Sequence, residues 1–123
     1  MRFAGPVVYA PSAAVPILPS GDLERSRAFY AFIGFAVLDL EEDYLRVSHD
    51  GVEVHLYLAP ETDAASNPCG WYLKAAEPQD LREKWTADGL ECVDVPVAAY
   101  YGATSFALID PDGNMLRVGP AIG

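Results

Sequence analysis

The chain has 123 residues, is 51% hydrophobic and carries a formal net charge of −10, which suits one compact domain over residues 1–123 with an ample core. The 18 acidic side chains outnumber the 8 basic ones, which argues against nucleic acid or an anionic membrane surface as a partner, because both would be repelled. The same charge attracts cationic small molecules, although acidic residues also serve simply to keep a protein in solution. No window approaches the ~18 uninterrupted apolar residues of a membrane span.

Two features of the sequence predict a reduced, cytoplasmic protein. Residues 1–6 lack the long apolar run of a signal peptide. The two cysteines, Cys69 and Cys92, are too few for the disulfide framework of a secreted domain. We therefore expect both to be small core or loop residues, with a bridge between them as the less favoured alternative.

The first half of the chain predicts one strand, one helix and three further strands. Asp22, or alternatively Ser20, is suited to cap the helix, and Gly34 to end it in a left-handed conformation. Asp50 and Gly51 form the dipeptide of a tight hairpin turn between the last two strands. In order, we place a strand over 14–18, the helix over 22–33, and strands over 35–38, 44–47 and 52–58.

After a small, polar linker over 60–69, the same order of elements returns. We expect a strand over 71–75, a helix over 78–88 ended by Gly89, a strand over 91–95 and a hairpin over 105–118. Helix starts, helix-ending glycines and Asp-Gly hairpin turns match between the two halves, which indicates a duplication. The sequence therefore predicts an α+β fold of two βαβββ modules, about 14–59 and 70–119, that form curved mixed sheets.

Two segments carry a resemblance to a known family. The first is the run DLERSRAFY at 22–30, followed by Gly34-Phe35, and the second is the run DPDGN at 110–114. With them the chain resembles, from about Ala14 to Val118, the vicinal-oxygen-chelate superfamily, also called the glyoxalase/bleomycin resistance/dioxygenase fold. That superfamily contains metal-dependent lyases, isomerases, dioxygenases and thiol transferases, and also metal-free proteins that sequester antibiotics.

The resemblance allows the metal ligands to be checked position by position. The superfamily's enzymes take His and Glu ligands from four strand positions, which correspond here to 14–16, His55, 71–73 and Arg117. Only His55 offers a ligand, whereas a catalytic site usually needs three from the protein, and the arginine would repel a cation. We therefore expect no metal, no cofactor and no catalytic residue. His55 is then a polar core residue with a hydrogen-bond partner, or a residue that lines a pocket.

Within the superfamily, the pattern is most similar to the bleomycin-resistance branch. Tyr101-Gly102 stands where that branch carries a Trp-Gly pair before the last hairpin, and Trp71 matches a tryptophan at the start of its second module. The resemblance implies a homodimer with grooves at its interface, lined by aromatic and acidic residues of both subunits. It also implies that residues 1–18 are a segment suited to exchange between subunits.

Planar rings of a ligand stack on Tyr and Trp side chains. A cationic tail of the ligand is attracted by aromatic faces and by carboxylates. The candidate ligand-binding residues are Asp39, Glu42, Tyr44, His55, Tyr57, Trp71, Tyr100 and Tyr101. Packing within a sheet is an equally good explanation of Tyr57 and Trp71. A solvated turn is the simpler explanation of the acidic run at 39–43.

These residues predict a metal-free protein that sequesters a planar, aromatic and cationic small molecule, such as a bleomycin-like or other antibiotic. The alternative is an enzyme of the same fold, a lyase, dioxygenase or isomerase with an atypical metal site. A third alternative is an interaction module whose groove binds a peptide, for which the sequence offers no specific sign.

Overall fold

The computed structural model describes residue 5 and residues 10–95 and 105–120. The elements are β1 (Ile17–Ser20), α1 (Leu23–Phe32), β2 (Ala36–Leu40), β3 (Tyr44–His49), β4 (Val52–Leu58), β5 (Gly70–Ala75), α2 (Pro78–Ala87), β6 (Cys92–Asp94), β7 (Phe106–Ile109) and β8 (Met115–Pro120). They form two four-stranded sheets with the orders β1-β4-β3-β2 and β5-β8-β7-β6. In both, the outer first strand runs parallel to the last strand, and the other pairs are antiparallel. The predicted α+β fold of two βαβββ modules is confirmed.

The bounds of several strands differ from the predicted ones, and β1 and β2 show two kinds of difference. β1 begins at Ile17 rather than at residue 14, although the carbonyl of Pro16 still accepts a hydrogen bond of 3.0 Å from the amide of His55. β2 extends to Leu40, because an irregularity between Val37 and Asp39 shifts its register on β3 and lets the strand continue. A bulge of this kind leaves no clear mark in a hydrophobic pattern.

Side-chain capping fixes the start of helix α1, and a glycine fixes its end. The Asp22 carboxylate accepts hydrogen bonds from the amides of Glu24 and Arg25 at 3.1 and 3.2 Å, which satisfies two of the free donors of the first turn. Gly34, at φ +111°, ends the helix in the left-handed region that other residues avoid. The predicted cap at Asp22 and the predicted end of the helix at Gly34 are confirmed. No helix within the described ranges is long and apolar enough to cross a membrane.

Each sheet buries one face beneath its helix, and the two buried faces form one core. In the first module Leu45 and Val47 of β3 are fully buried, and in the second Phe106 of β7 is fully buried. The two halves of the core meet where the rings of Phe35 and Trp71 lie edge to face, 6.3 Å apart. Cys69 and Cys92 are free thiols.

A second, polar connection joins the modules at the turn between β7 and β8. The Asp112 carboxylate is buried, with its side chain 1% exposed, and lies against the start of α1. It accepts hydrogen bonds from the amide of Gly21 at 2.7 Å, the guanidinium of Arg25 at 2.7 Å and the hydroxyl of Ser26 at 3.0 Å. Three donors compensate the cost of burying this charge.

Asp110, at the start of the same turn, is held by Tyr30 of α1. The Tyr30 hydroxyl donates to the Asp110 carboxylate at 2.9 Å, and Asn114 donates to it from both its amide and its side chain. Burial raises the pKa of Asp110 above its ordinary value of 3.8, against the opposing effect of these hydrogen bonds. Burial, followed by the charge of Asp110, raises the pKa of the Tyr30 phenol well above its ordinary value of 10.0.

We expect Asp112→Asn to destabilise the fold by about 2–4 kcal/mol, because the amide cannot accept all three hydrogen bonds and leaves buried donors unpaired. Asp43→Asn is the matched control, because the Asp43 side chain is exposed, and should change stability by less than about 0.5 kcal/mol. Urea unfolding followed by circular dichroism measures both. Equal unfolding midpoints for the two variants would contradict this role of Asp112.

The raised pKa of Tyr30 predicts a loss of stability at alkaline pH. Above about pH 10 the unfolded chain releases the Tyr30 proton while the folded chain keeps it, so the folded state binds more protons and stability falls as the pH rises. In Tyr30→Phe this contribution is absent, and the free energy of unfolding should fall less steeply over that range. Parallel pH dependences of the two proteins would show that Tyr30 does not contribute.

Candidate functional site

The first sheet leaves one face uncovered by α1. Along β3 and β4 every second residue is buried, and the residues between them point away from the helix. The strand register places the residues of this second set beside one another. We call this surface the first open face, and its members are Asp39, Tyr44, Arg46, Ser48, Glu53, His55 and Tyr57.

A chain of three hydrogen-bonded side chains crosses the first open face. The Tyr44 hydroxyl lies 2.7 Å from Nδ1 of His55, and Nε2 of His55 is hydrogen-bonded to the carboxylate of Glu53. A carboxylate only accepts, so Nε2 carries a proton. When the ring is neutral, Nδ1 is the acceptor and the Tyr44 hydroxyl donates to it. The lone pairs of the Tyr44 oxygen then remain available to a donor on a ligand.

The remaining residues of this face add one more ring and an ion pair. Tyr57 lies directly opposite Tyr44 in the β3–β4 pair, and 41% of its surface is exposed. Arg46 and Asp39 approach to 3.8 Å, and both side chains remain about two-fifths exposed. The face therefore offers aromatic surface, a hydroxyl acceptor and two carboxylates on different strands, of which Asp39 is paired with Arg46. Such a set suits a flat molecule that carries hydrogen-bond donors or positive charge.

The structure brings together four of the predicted site residues, namely Asp39, Tyr44, His55 and Tyr57. Glu42 is exposed in the bend before β3. Trp71 lies on β5, where its ring packs on Phe35, and the residue borders two clefts beside that strand. Tyr100 and Tyr101 lie outside the described residues.

Sequence reasoning missed Glu53 and Arg46 as site residues. The alternation of β4 puts Glu53 on the face of His55 and Tyr57, and that signal is enough to find it. Arg46 comes from the neighbouring strand, so its place beside His55 depends on the pairing of β3 with β4. No spacing within a single strand contains that information.

The donor set around His55 does not fit the metal centre of the superfamily's enzymes. Both ring nitrogens of His55 already have hydrogen-bond partners, and its neighbours on the adjoining strands are Ile17 and Arg46, which are not metal ligands. Among residues 10–95 and 105–120, no three His, Cys, Asp or Glu side chains are grouped so that they could hold a metal ion. Arg117 stands exposed on β8 at the superfamily's fourth ligand position.

Comparison with known proteins identifies the family of this chain. Residues 12–118 match the model of the Glyoxalase/Bleomycin resistance protein/Dioxygenase superfamily, and the chain belongs to that superfamily. A bleomycin resistance protein of Klebsiella pneumoniae is 26% identical over 115 residues, which cover 85% of this chain and 89% of the relative.

Two crystal structures share the fold. A bleomycin-binding protein complexed with bleomycin superposes with a TM-score of 0.82 at 21% identity, covering 91% of this chain and 100% of that chain. A bleomycin-binding protein from the bleomycin-producing Streptomyces verticillus, complexed with copper(II)-bleomycin, superposes with a TM-score of 0.73 at 20% identity, covering 94% and 100%. The similarity to both extends over nearly the whole chain.

We expect the purified chain, dialysed against buffer with zinc, nickel or manganese and then against metal-free buffer, to retain less than about 0.1 ion per chain, because three protein ligands are missing. Plasma mass spectrometry measures the content, and His55→Ala should leave it unchanged. A stoichiometric divalent ion in the parent that is lost in His55→Ala would contradict this expectation and favour an enzyme.

Proposed function

We propose that this chain is a homodimeric binding protein that sequesters a planar, aromatic and cationic antibiotic of the bleomycin type without chemical conversion. The observation that carries the proposal is the first open face, where two tyrosine rings and two carboxylates lie together on one side of a sheet. The bleomycin resistance protein of Klebsiella pneumoniae and the bleomycin-binding structures support the choice of ligand class.

The contacts of this face suit such a ligand. The exposed ring of Tyr57 offers stacking surface to a flat heteroaromatic group. When the His55 ring is neutral, the Tyr44 hydroxyl donates to it and keeps its lone pairs for an N–H of the ligand. The carboxylates of Glu53 and Asp39, in a chain of net charge −10, favour a positively charged group over a neutral one.

The groove in this proposal lies between two copies of the chain. Ile17 is 57% exposed beside His55, and Ile109 and Met115 on the second sheet are 41% and 36% exposed. A second copy that covered these side chains would remove apolar surface from water. Tyr100 and Tyr101, with Trp71 and Glu42, remain predicted ligand contacts within the groove.

One observation favours the alternative of an enzyme. His55 is oriented by the Glu53 carboxylate and faces a hydroxyl, which is an arrangement that also serves proton transfer in catalytic sites. The binding function is preferred because three of the four metal-ligand positions that the resemblance implies, namely 14–16, 71–73 and Arg117, offer no metal ligand here.

The direct test is a titration with bleomycin in a Trp85→Phe background, where Trp71 is the remaining tryptophan and reports through its fluorescence. We expect a dissociation constant well below 0.1 mM, which corresponds to about −5 kcal/mol. Tyr57→Ala should weaken binding by about tenfold, the value of one stacked ring. Phe32→Ala is the matched control, since Phe32 is an exposed ring at the end of α1, away from this face, and should bind as the parent does.

The possible results test the class of ligand and the location of the binding site separately. If neither bleomycin nor mitomycin or quinoxaline drugs bind more tightly than about 0.1 mM, the sequestration of this drug class is wrong. If bleomycin binds but Tyr57→Ala and Phe32→Ala both bind as the parent does, the first open face is not the site. Tyr101→Ala then tests the predicted contact outside the described residues.

A further inference from the structure

One histidine ring is held at both of its nitrogens on the first open face. Nδ1 of His55 lies 2.7 Å from the Tyr44 hydroxyl, and Nε2 is hydrogen-bonded to the carboxylate of Glu53. The rings of Tyr44 and His55 meet edge to face with their centres 5.2 Å apart, and the His55 side chain is only 17% exposed. Because the ring is fixed in this way, a proton gained by His55 changes the hydrogen bonds of its two partners.

The proton count of His55 decides the direction of the hydrogen bond to Tyr44. In the neutral ring Nε2 carries the proton that faces Glu53, and Nδ1 accepts from the Tyr44 hydroxyl. In the cationic ring both nitrogens are donors, so Nδ1–H donates to the Tyr44 oxygen. The hydroxyl hydrogen of Tyr44 then has to turn away from His55, and one lone pair of the oxygen is used up. The hydroxyl thereby changes from an acceptor for a ligand into a donor.

The same proton cancels the net negative charge of the first open face. Its ionic side chains are the carboxylates of Asp39 and Glu53 and the guanidinium of Arg46, so two negative charges stand against one positive charge. Arg46 lies directly opposite His55 in the β3–β4 pair, and a proton on His55 adds a second positive charge beside it. A cationic ligand then loses the electrostatic attraction of the face as well as its hydrogen-bond acceptor.

The elements around His55 present no other histidine. β1 presents Ile17 and the carbonyl of Pro16, which accepts from the His55 amide, and neither carries a charge. Among the side-chain types present, only imidazole ordinarily changes its charge between about pH 5 and pH 8. The charged and titratable groups around His55 in the described ranges are Tyr44 and Arg46 on β3, Glu53 and Tyr57 on β4, Asp39 behind Arg46 on β2, and Tyr72 and Lys74 of β5 across the cleft that they share with Glu53.

We propose that protonation of His55 reverses the Tyr44 hydrogen bond and releases the ligand from the first open face, so that binding is tight near pH 8 and weak near pH 5. The ligands affected most are planar cations that present an N–H group, such as an aromatic amidinium, because they lose both the acceptor and the attraction. This inference rests on the proposed function for the location of the site. It adds the donor group of the ligand and the condition under which the ligand is released.

Calorimetric titrations of the full chain at about pH 8 and about pH 5 with two planar cations test the proposal. Naphthalene-2-carboxamidine presents N–H donors, N-methylquinolinium carries the same charge without any, and neither probe changes its own charge in this range. We expect the amidine probe to bind at least about tenfold more weakly at the lower pH. The quinolinium should lose a smaller factor, since only its attraction to the carboxylates changes.

Three variants assign the pH dependence to its residues. Tyr44→Phe keeps the ring and removes the hydroxyl, so the two probes should lose affinity by the same factor. His55→Gln should abolish the pH dependence of both. His49→Gln is the matched control, because His49 is the other histidine of the chain and lies at the exposed end of β3, and its pH dependence should equal that of the parent. Near-ultraviolet circular dichroism at both pH values checks that each protein stays folded.

Nitrogen-15 spectra of the free protein test the first step without any ligand. At about pH 8 the neutral His55 ring should carry its proton on Nε2. The titration of its ring nitrogens should have the same midpoint as the loss of affinity for naphthalene-2-carboxamidine. Glu53→Gln should raise the share of the tautomer with the proton on Nδ1, because an amide also donates to Nε2.

Several results would overturn the proposal. They are equal amidine affinity at the two pH values, equal losses for the two probes in the parent, a neutral His55 ring with its proton on Nδ1, and a binding midpoint that differs from that of His55. Failure of both probes to bind at the higher pH would also overturn it. Bleomycin that does not bind, while the amidine probe binds and is released on acidification, would contradict the proposed drug class and support this inference.

Discussion

A buried carboxylate joins the two modules of this chain. Asp112 sits in the turn between β7 and β8, yet its hydrogen-bond donors come from the start of α1 in the other module. A buried charge is tolerated only when it is paired and hydrogen-bonded, so the turn and the helix must meet in one arrangement. Asp110 and Tyr30 extend the same contact into the core. The relative position of the two sheets therefore depends on side chains that do not belong to the first open face.

The same contact joins the two segments that carry the family resemblance in the sequence. The DPDGN run and the DLERSRAFY run bind each other across the module boundary. They hold the scaffold and lie outside the first open face. His55, by contrast, lies in the middle of a strand, where the pleat directs it outward.

The first open face carries both signs of charge. Glu53 and Asp39 lie there with two tyrosines, and Arg46 pairs with Asp39. A net charge of −10 does not reveal this arrangement, because composition averages over the whole surface.

The sequence by itself determined the elements, because the period of apolar residues, the helix caps and the Asp-Gly turn depend on neighbours in the chain. The alternation of β4 also placed Glu53, His55 and Tyr57 on one face. Only the tertiary structure decided that Trp71 packs on Phe35, that Arg46 lies beside His55 and that Asp112 binds α1. These contacts join residues far apart in the sequence or on different strands, and they arise from strand register and module packing, which no local pattern records.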